Sequence, residues 1–286
     1  GTNPRFEATI LNARIRKSYV NNLTKILSRS DVGDLTYPYK ILDGKTKTLV
    51  DIFEGKSEIT KDILNAKKPL IILGESFFKL QSADFLFNLI KNFLTNNKKI
   101  DESWNSLNKI STDASTVGSL DLKIINEKEN IFENLKANNF EIIYLLGQDN
   151  LNFTKNNEFI IYQGSHGDKG AEIADIILPG AAYTEQNGHF TNLEGKIQKA
   201  FKASYPPGEA KEDWQIINEL AEFMNNRKLF NDKDELESSM FNYINLQQEN
   251  RVLSDQGTSS KNFAESENLT VTYKEYYFSN VIARSS

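Results

Sequence analysis

The chain has 286 residues, 39% of them hydrophobic, with 34 Lys and Arg against 39 Asp and Glu for a net charge of -5. This is material for one large or two modest domains with a buried core, and the acidic balance, without a long basic run, disfavours a nucleic-acid partner. With no Cys and two His, His166 and His189, disulfides, thiolate zinc sites, thiolate-held iron-sulfur clusters and histidine-rich metal sites are excluded.

Mean hydropathy is -0.50, and no stretch approaches the roughly 18 consecutive apolar residues of a membrane span. No acidic cluster has the D-x-D-x-D-G spacing of a carboxylate metal site, so no metal ligands are expected.

The chain opens on G-T-N-P-R. Asn3 suits an N-cap and Pro4 a first helical position, which predicts an amphipathic helix to about Val20. In an α/β fold such a turn is fed by a buried strand. The sequence holds none before it, and no initiator Met, so a fragment of a longer polypeptide is expected.

Short apolar runs then alternate with helical patterns. Strands are predicted at Thr24 to Leu27, Pro69 to Leu73, Ile142 to Leu146, Phe159 to Tyr162 and Ala174 to Leu178. Their continuous hydrophobicity suggests burial on both faces. Helices are expected at Leu49 to Asn65, Ser82 to Thr95 and Ile131 to Asn138. The alternation argues for α/β architecture, a doubly wound and largely parallel sheet with a small C-terminal extension.

After Pro206-Pro207-Gly208, the residues Trp214, Ile217, Leu220, Ala221 and Met224 share one helical face, with Trp214 expected as a core anchor. A second amphipathic helix is predicted from Lys233 to Gln247. A polar stretch from Ser254 to Asn268 reads as a linker, and Leu269 to Phe278 alternates partly as a strand.

Two segments invite a site. In Q-G-S-H-G-D-K-G, Gly164, Gly167 and Gly170 follow a strand, where glycines permit close approach to an anion. The G-x-x-G-x-x-G spacing matches neither the dinucleotide nor the P-loop pattern, and Asp168 sits where phosphate would, so an ordinary tight loop is favoured. His166, with no adjacent acidic residue, reads as a hydrogen-bonded loop histidine. The second segment, Ala174 to Gln198, gathers Asp175, Glu185, His189, Asn192 and Glu194 among turns and suits either a pocket or a packed loop layer. The basic residues Arg5, Arg14, Arg16 and Lys17 read as a solvated helix face.

Three stretches carry a family resemblance: G-T-N-P-R-F-E-A-T-I-L-N-A-R-I-R-K at 1 to 17, Y-Q-G-S-H-G-D-K-G through G-K-I-Q at 162 to 198, and P-P-G-E-A-K-E-D-W-Q-I-I at 206 to 217. Together with Asp34-Leu35-Thr36-Tyr37, Lys67-Lys68-Pro69 and the terminal S-N-V-I-A-R-S-S, the chain resembles the family of large iron-sulfur subunits of bacterial respiratory complex I. The resemblance implies a domain related to molybdopterin-dependent oxidoreductases over 1–226 and a C-terminal region of the subunit over 227–286. The 2Fe-2S and 4Fe-4S clusters of the family would lie upstream of Gly1, leaving no cofactor and no catalytic residue here.

By the same resemblance, Asn3, Glu185, Asn192 and Glu194 would border the ancestral pterin pocket. Lys196 replaces the usual arginine and forfeits a bidentate fork for phosphate. The implied role is a structural scaffold in the peripheral arm of NADH:quinone oxidoreductase, beside the flavin-bearing NADH-binding subunit, on the cytoplasmic face of the bacterial inner membrane. A domain of a pterin-dependent molybdenum or tungsten oxidoreductase and a free-standing nucleotide-binding α/β protein are the alternatives.

Overall fold

The computed structural model describes residues 1–124, 131–148, 154–167, 169–249 and 267–271. Two compact units divide the chain, Gly1–Asp113 with Leu253–Tyr277, and Ala114–Val252 with Phe278–Ser286.

The first unit runs α1 (Pro4–Glu7), α2 (Thr9–Asn22), β1 (Leu27–Ser28), β2 (Lys40–Ile41), α3 (Thr46–Phe53), α4 (Glu58–Asn65), β3 (Ile71–Leu73), α5 (Glu75–Phe78), α6 (Ala83–Asn96) and β4 (Leu107–Lys109). The single opening helix expected from sequence is two, because Ala8 adopts φ -153° between them. Glu7 turns its carboxylate back onto the Asn3 N–H at 2.5 Å and the Thr2 hydroxyl, which closes α1 after one turn. Nor is α2 amphipathic. Ile10 is 79% and Val20 64% exposed, while the helix buries Asn12.

The helix expected at Leu49 to Asn65 likewise divides. Gly55, at φ +86°, ends the first segment in the left-handed region open to glycine, and the Ser57 hydroxyl accepts the Ile59 N–H at 3.3 Å to start the second. The core forms around α3, β3 and α6. Leu86, Ile90 and Leu94, four residues apart on α6, are buried, and the rings of Phe53 and Phe93 meet edge-on at 5.4 Å. Leu269, on the returning segment, joins the same cluster.

The second unit runs α7 (Thr116–Asp121), α8 (Ile131–Lys136), β5 (Ile142–Leu146), β6 (Phe159–Gly164), α9 (Lys169–Ile173), β7 (Ile176–Pro179), β8 (Gly188–Thr191), β9 (Ile197–Ala200), α10 (Asp213–Asn225) and α11 (Lys233–Glu249). All five runs read as strands from sequence do contain strands, each within a few residues of the expected bounds. Pairing is parallel for β1 with β2, β3 with β4, and β5, β6 and β7 in sequence order, whereas β8 and β9 form an antiparallel hairpin. The architecture is mixed α/β with parallel sheets.

Burial on both faces fails for the three-stranded sheet. Leu145, Ile160 and Tyr162 face Ala171, Ile173 and Ala174 around α9. On the opposite face Ile142, Leu146, Phe159 and Ile176 are exposed, the first at 63%. That face also carries the fully buried Gln163, and Ile177 is exposed on the α9 face, so among the described residues neither face is covered throughout.

The apolar face expected on α10 is also only partly buried. Trp214 is half-buried, its indole N–H donating to Glu212 at 3.1 Å, but Met224 at the far end is exposed. The residue this helix buries is Asn218. The predicted Ser254 to Asn268 linker lies outside the described residues as far as 266, as does the predicted final strand beyond 271.

Truncating Leu86 to Ala removes a fully buried side chain, so Leu86→Ala should lower unfolding stability by about 2–5 kcal/mol in urea titration. Ile10→Ala, at an exposed site, should stay within about 0.5 kcal/mol of the parent in the same assay.

Candidate functional site

Asn3 lies in the first unit; Glu185, Asn192 and Glu194 lie in the second. The buried Asn3 side chain caps α1 by accepting the Arg5 N–H at 3.0 Å and donates to the Val32 carbonyl at 2.6 Å. Arg5 extends the contact, its guanidinium reaching the Asp34 carbonyl at 3.0 Å and carboxylate at 2.5 Å. Arg5 is exposed, as the solvated-face reading expects, and uses that position for a surface ion pair.

Further along, buried Asn12 donates to the Leu35 carbonyl at 3.0 Å and accepts from the Tyr37 hydroxyl at 2.8 Å. The motif residues at the chain's start and Asp34-Leu35-Thr36-Tyr37 are thus partners of one another. Thr36 takes φ +71° at the centre of the clamp. The Thr36 N–H, ahead of the Arg5 guanidinium, holds the Asp34 carboxyl below its usual range. Burial pushes the Tyr37 phenol up to about 12.

In the second unit the glycine-rich loop after β6 folds over a ring. Tyr162, buried, donates its hydroxyl to the His166 carbonyl at 2.8 Å. A Cβ on Gly164 would collide with the Tyr162 phenol, and one on Gly170 would come within 2.9 Å of the ring and 2.7 Å of the Gln148 carbonyl. Two of the three glycines make room for a side chain of the protein itself. His166 meets the Ser165 hydroxyl at 2.9 Å through Nδ1, as a loop histidine. Asp168 lies outside the described residues.

Asp175 accepts the Ile160 N–H at 2.8 Å and pairs with Lys155 at 2.6 Å, and these contacts, the N–H first, lower its pKa. The Glu185 carboxylate accepts the Ala182 N–H at 2.9 Å. Asn192 accepts from the Glu194 and Lys196 N–H groups at 3.0 and 2.9 Å, which shapes the turn joining β8 to β9. His189 stacks edge-on against Phe241 at 5.3 Å. Among the described residues no three His, Asp or Glu side chains gather as a metal site.

A polar node absent from the sequence reading lies at the carboxyl end of β6. Gln163, buried, donates to an Asp213 carboxylate oxygen at 2.8 Å and accepts from the Tyr144 hydroxyl. Gln186 donates to the other Asp213 oxygen at 3.0 Å and accepts the Asp213 N–H at 3.3 Å. A Cβ on Gly180 would lie 3.0 Å from that carboxylate. Burial, and secondarily Asp213, raises the Tyr144 pKa. The sequence signal was the pair of glutamines and the aspartate inside Y-Q-G, E-Q-N-G and E-D-W, three segments that no spacing rule connects.

An α/β chain with parallel strands and glycine turns at their carboxyl ends is the class these features define. The chain belongs to the molybdopterin oxidoreductase family, whose model matches residues 1–223. Along its whole length it is 35% identical over 295 residues to the NADH-ubiquinone oxidoreductase 75 kDa subunit of Reclinomonas americana, of which it spans 42%. It is 38% identical over 236 residues to the 78 kDa mitochondrial subunit of Candida albicans, with 81% of this chain and 32% of the relative aligned. The mitochondrial NADH dehydrogenase iron-sulfur protein 1 of Solanum tuberosum is 35% identical over 224 residues, 78% of this chain and 30% of that protein. The chain therefore spans well under half the length of these relatives.

Replacing Asp213 with Ala removes the carboxylate that Gln163 and Gln186 share and leaves their amides only the longer bonds to the Asp213 and Ala181 carbonyls, which should cost about 1–3 kcal/mol, measured by urea unfolding. The Tyr37 phenol has a folded pKa above its unfolded value of 10.0, so its contribution is fully present below pH 10 and lost as pH rises through about 12. Tyrosine-labelled NMR titration should show one resonance moving near pH 12, with stability falling across that window.

Proposed function

We propose that this chain is the later part of an iron-sulfur subunit of NADH:quinone oxidoreductase and serves there as a structural scaffold. The observation that carries the reading is identity of 35% along the entire chain to a relative named as a subunit of that complex. On this reading the clusters sit on an upstream region and the flavin on a partner subunit. Residues 1–226 make up the domain of the molybdopterin oxidoreductase kind, its strands part of a doubly wound sheet, and 227–286 the C-terminal region. The chain then sits at the cytoplasmic face of a bacterial inner membrane, against other subunits of the peripheral arm. No helix of the described residues is long and apolar enough to cross a membrane.

The family also implies a pterin. Asn3, Glu185, Asn192 and Glu194 would be the remnant of its pocket, and three of the four side chains already bond within this chain. Asn3 spends its amide on the Val32 carbonyl and its oxygen on the Arg5 N–H. Glu185 and Asn192 accept from backbone N–H groups of their own turns. The space above the glycine-rich loop is taken by Tyr162. No chemical step is therefore assigned to this chain; its work is to pack and position.

The test is a native gel of source-cell membranes probed with an antibody to this chain, the positive band re-run under denaturing conditions. A polypeptide far heavier than 32.6 kDa, in an assembly that oxidises NADH, is the expected result. A soluble band at the chain's own mass would refute it. Purified chain should show no NADH oxidation with an artificial acceptor, and metal analysis of protein made in a molybdenum-competent host should find neither molybdenum nor tungsten.

A further inference from the structure

Residues 267–271 return to the first unit from far along the chain, and their contacts are those of a bound peptide. The Glu267 carboxylate accepts the Gln81 N–H at 2.6 Å and the Ser82 N–H at 3.2 Å, at the start of α6. The Thr46 N–H donates to the Glu267 carbonyl at 3.1 Å, and the Leu269 N–H donates to the Gly44 carbonyl at 3.2 Å. Between them Asn268 bridges Lys45 in the antiparallel sense. Leu269 is 4% exposed in the core cluster, and its two terminal methyls would lie 3.2 Å from a Cβ on Gly1.

Each contact has a recognisable part in peptide capture. Antiparallel backbone pairing along Gly44–Thr46 supplies sequence-independent affinity, as in strand addition to a free edge. Gly44, at φ +76°, makes the turn that presents this edge. The start of a helix favours a negative charge, and two N–H donors converge on one carboxylate. Leu269 fills an apolar socket two residues along, on the same side of an extended segment.

We propose that the cleft framed by Gly44–Thr46, Gln81, Ser82 and the Phe77 cluster is a recognition site for an extended Glu-x-Leu segment, filled reversibly by Glu267–Leu269 of the same chain. Among the described residues the hydrogen bonds of the docking fall on these three, and Val271 packs beyond them against the Val32, Leu35 and Tyr37 cluster. The sequence before them, N-R-V-L-S-D-Q-G-T-S-S-K-N-F-A-E-S over 250–266, has the small and polar composition of a tether. A tethered segment acts at an effective concentration on the order of mM, so a competing segment is excluded while the chain's own is in place. A segment of the same pattern enters once the chain's own is released. The site is a latch.

Two measurements on the full chain test this. In Glu267→Gln, hydrogen exchange at the Gln81 and Ser82 amides should quicken at least about ten-fold while the Leu86 and Ile90 amides hold their rates. Unchanged exchange at Gln81 and Ser82 would overturn the proposal. In the second, a fluorescent peptide of residues 264–273 is titrated into the double variant E267A/L269A. Saturable binding is expected, at least about ten-fold weaker to the parent chain and abolished when the peptide carries Leu269→Ala. A folded double variant that ignores the peptide, or equal binding to parent and variant, overturns it. Should the double variant fail to fold, the exchange rates of Glu267→Gln decide.

Discussion

A strand of two or three residues leaves most of the backbone around it without a ladder partner, and buried backbone groups cannot go unpaired at small cost. In this chain side-chain amides supply what the short strands cannot. Asn3 holds the Val32 carbonyl, Asn12 the Leu35 carbonyl and the Tyr37 hydroxyl, Gln163 the start of α10, and Asn218 the Leu229 and Phe230 N–H groups and the Phe230 carbonyl. All four are buried. A carboxamide both donates and accepts, so one side chain can tie two strands of chain that a hydrophobic residue would merely press together. These ties hold loop segments that the hydrophobic clusters of the two units leave without ladder partners.

The same economy shapes the carboxyl ends of the second unit's strands. In open α/β sheets this is where ligands bind, because loops diverge there and leave a crevice. Here the Tyr162 ring and the Asp213 node occupy that ground, and the nearby glycines serve internal packing. A glycine motif signals close approach of something to the backbone. In this protein that something is its own side chain.

Much of the architecture was legible because periodicity is a local property. Ile142 to Leu146 is a strand at the bounds its apolar run indicates, and Ala83–Asn96 lies within one residue of the expected helix. The breaks at Ala8 and Gly55 were missed for different reasons. Gly55 and Ser57 carried a stop and start signal that the apolar periodicity overrode, whereas nothing at Ala8 announces that Glu7 will fold back. The incomplete cover of the sheet was hidden because a run apolar at every position looks the same whether its faces are covered throughout or only in part. The Asp213 node and the docking of Leu269 were invisible in principle, since each joins residues that only the tertiary fold makes neighbours. Of the site residues, Asn3 was correctly placed as a cap; its second bond, to Val32, was not foreseen.

The exposed apolar residues of the three-stranded sheet give the chain a temperature sign. Ile142, Leu146, Phe159 and Ile176 offer water a mostly aliphatic surface on a protein whose net charge is only -5. Attraction between such surfaces is entropic near room temperature and weakens on cooling, while sulfate and phosphate strengthen it. Charge repulsion is screened by the same salts. Contact between such patches is therefore weakest in the cold and at low salt, and strengthens on warming.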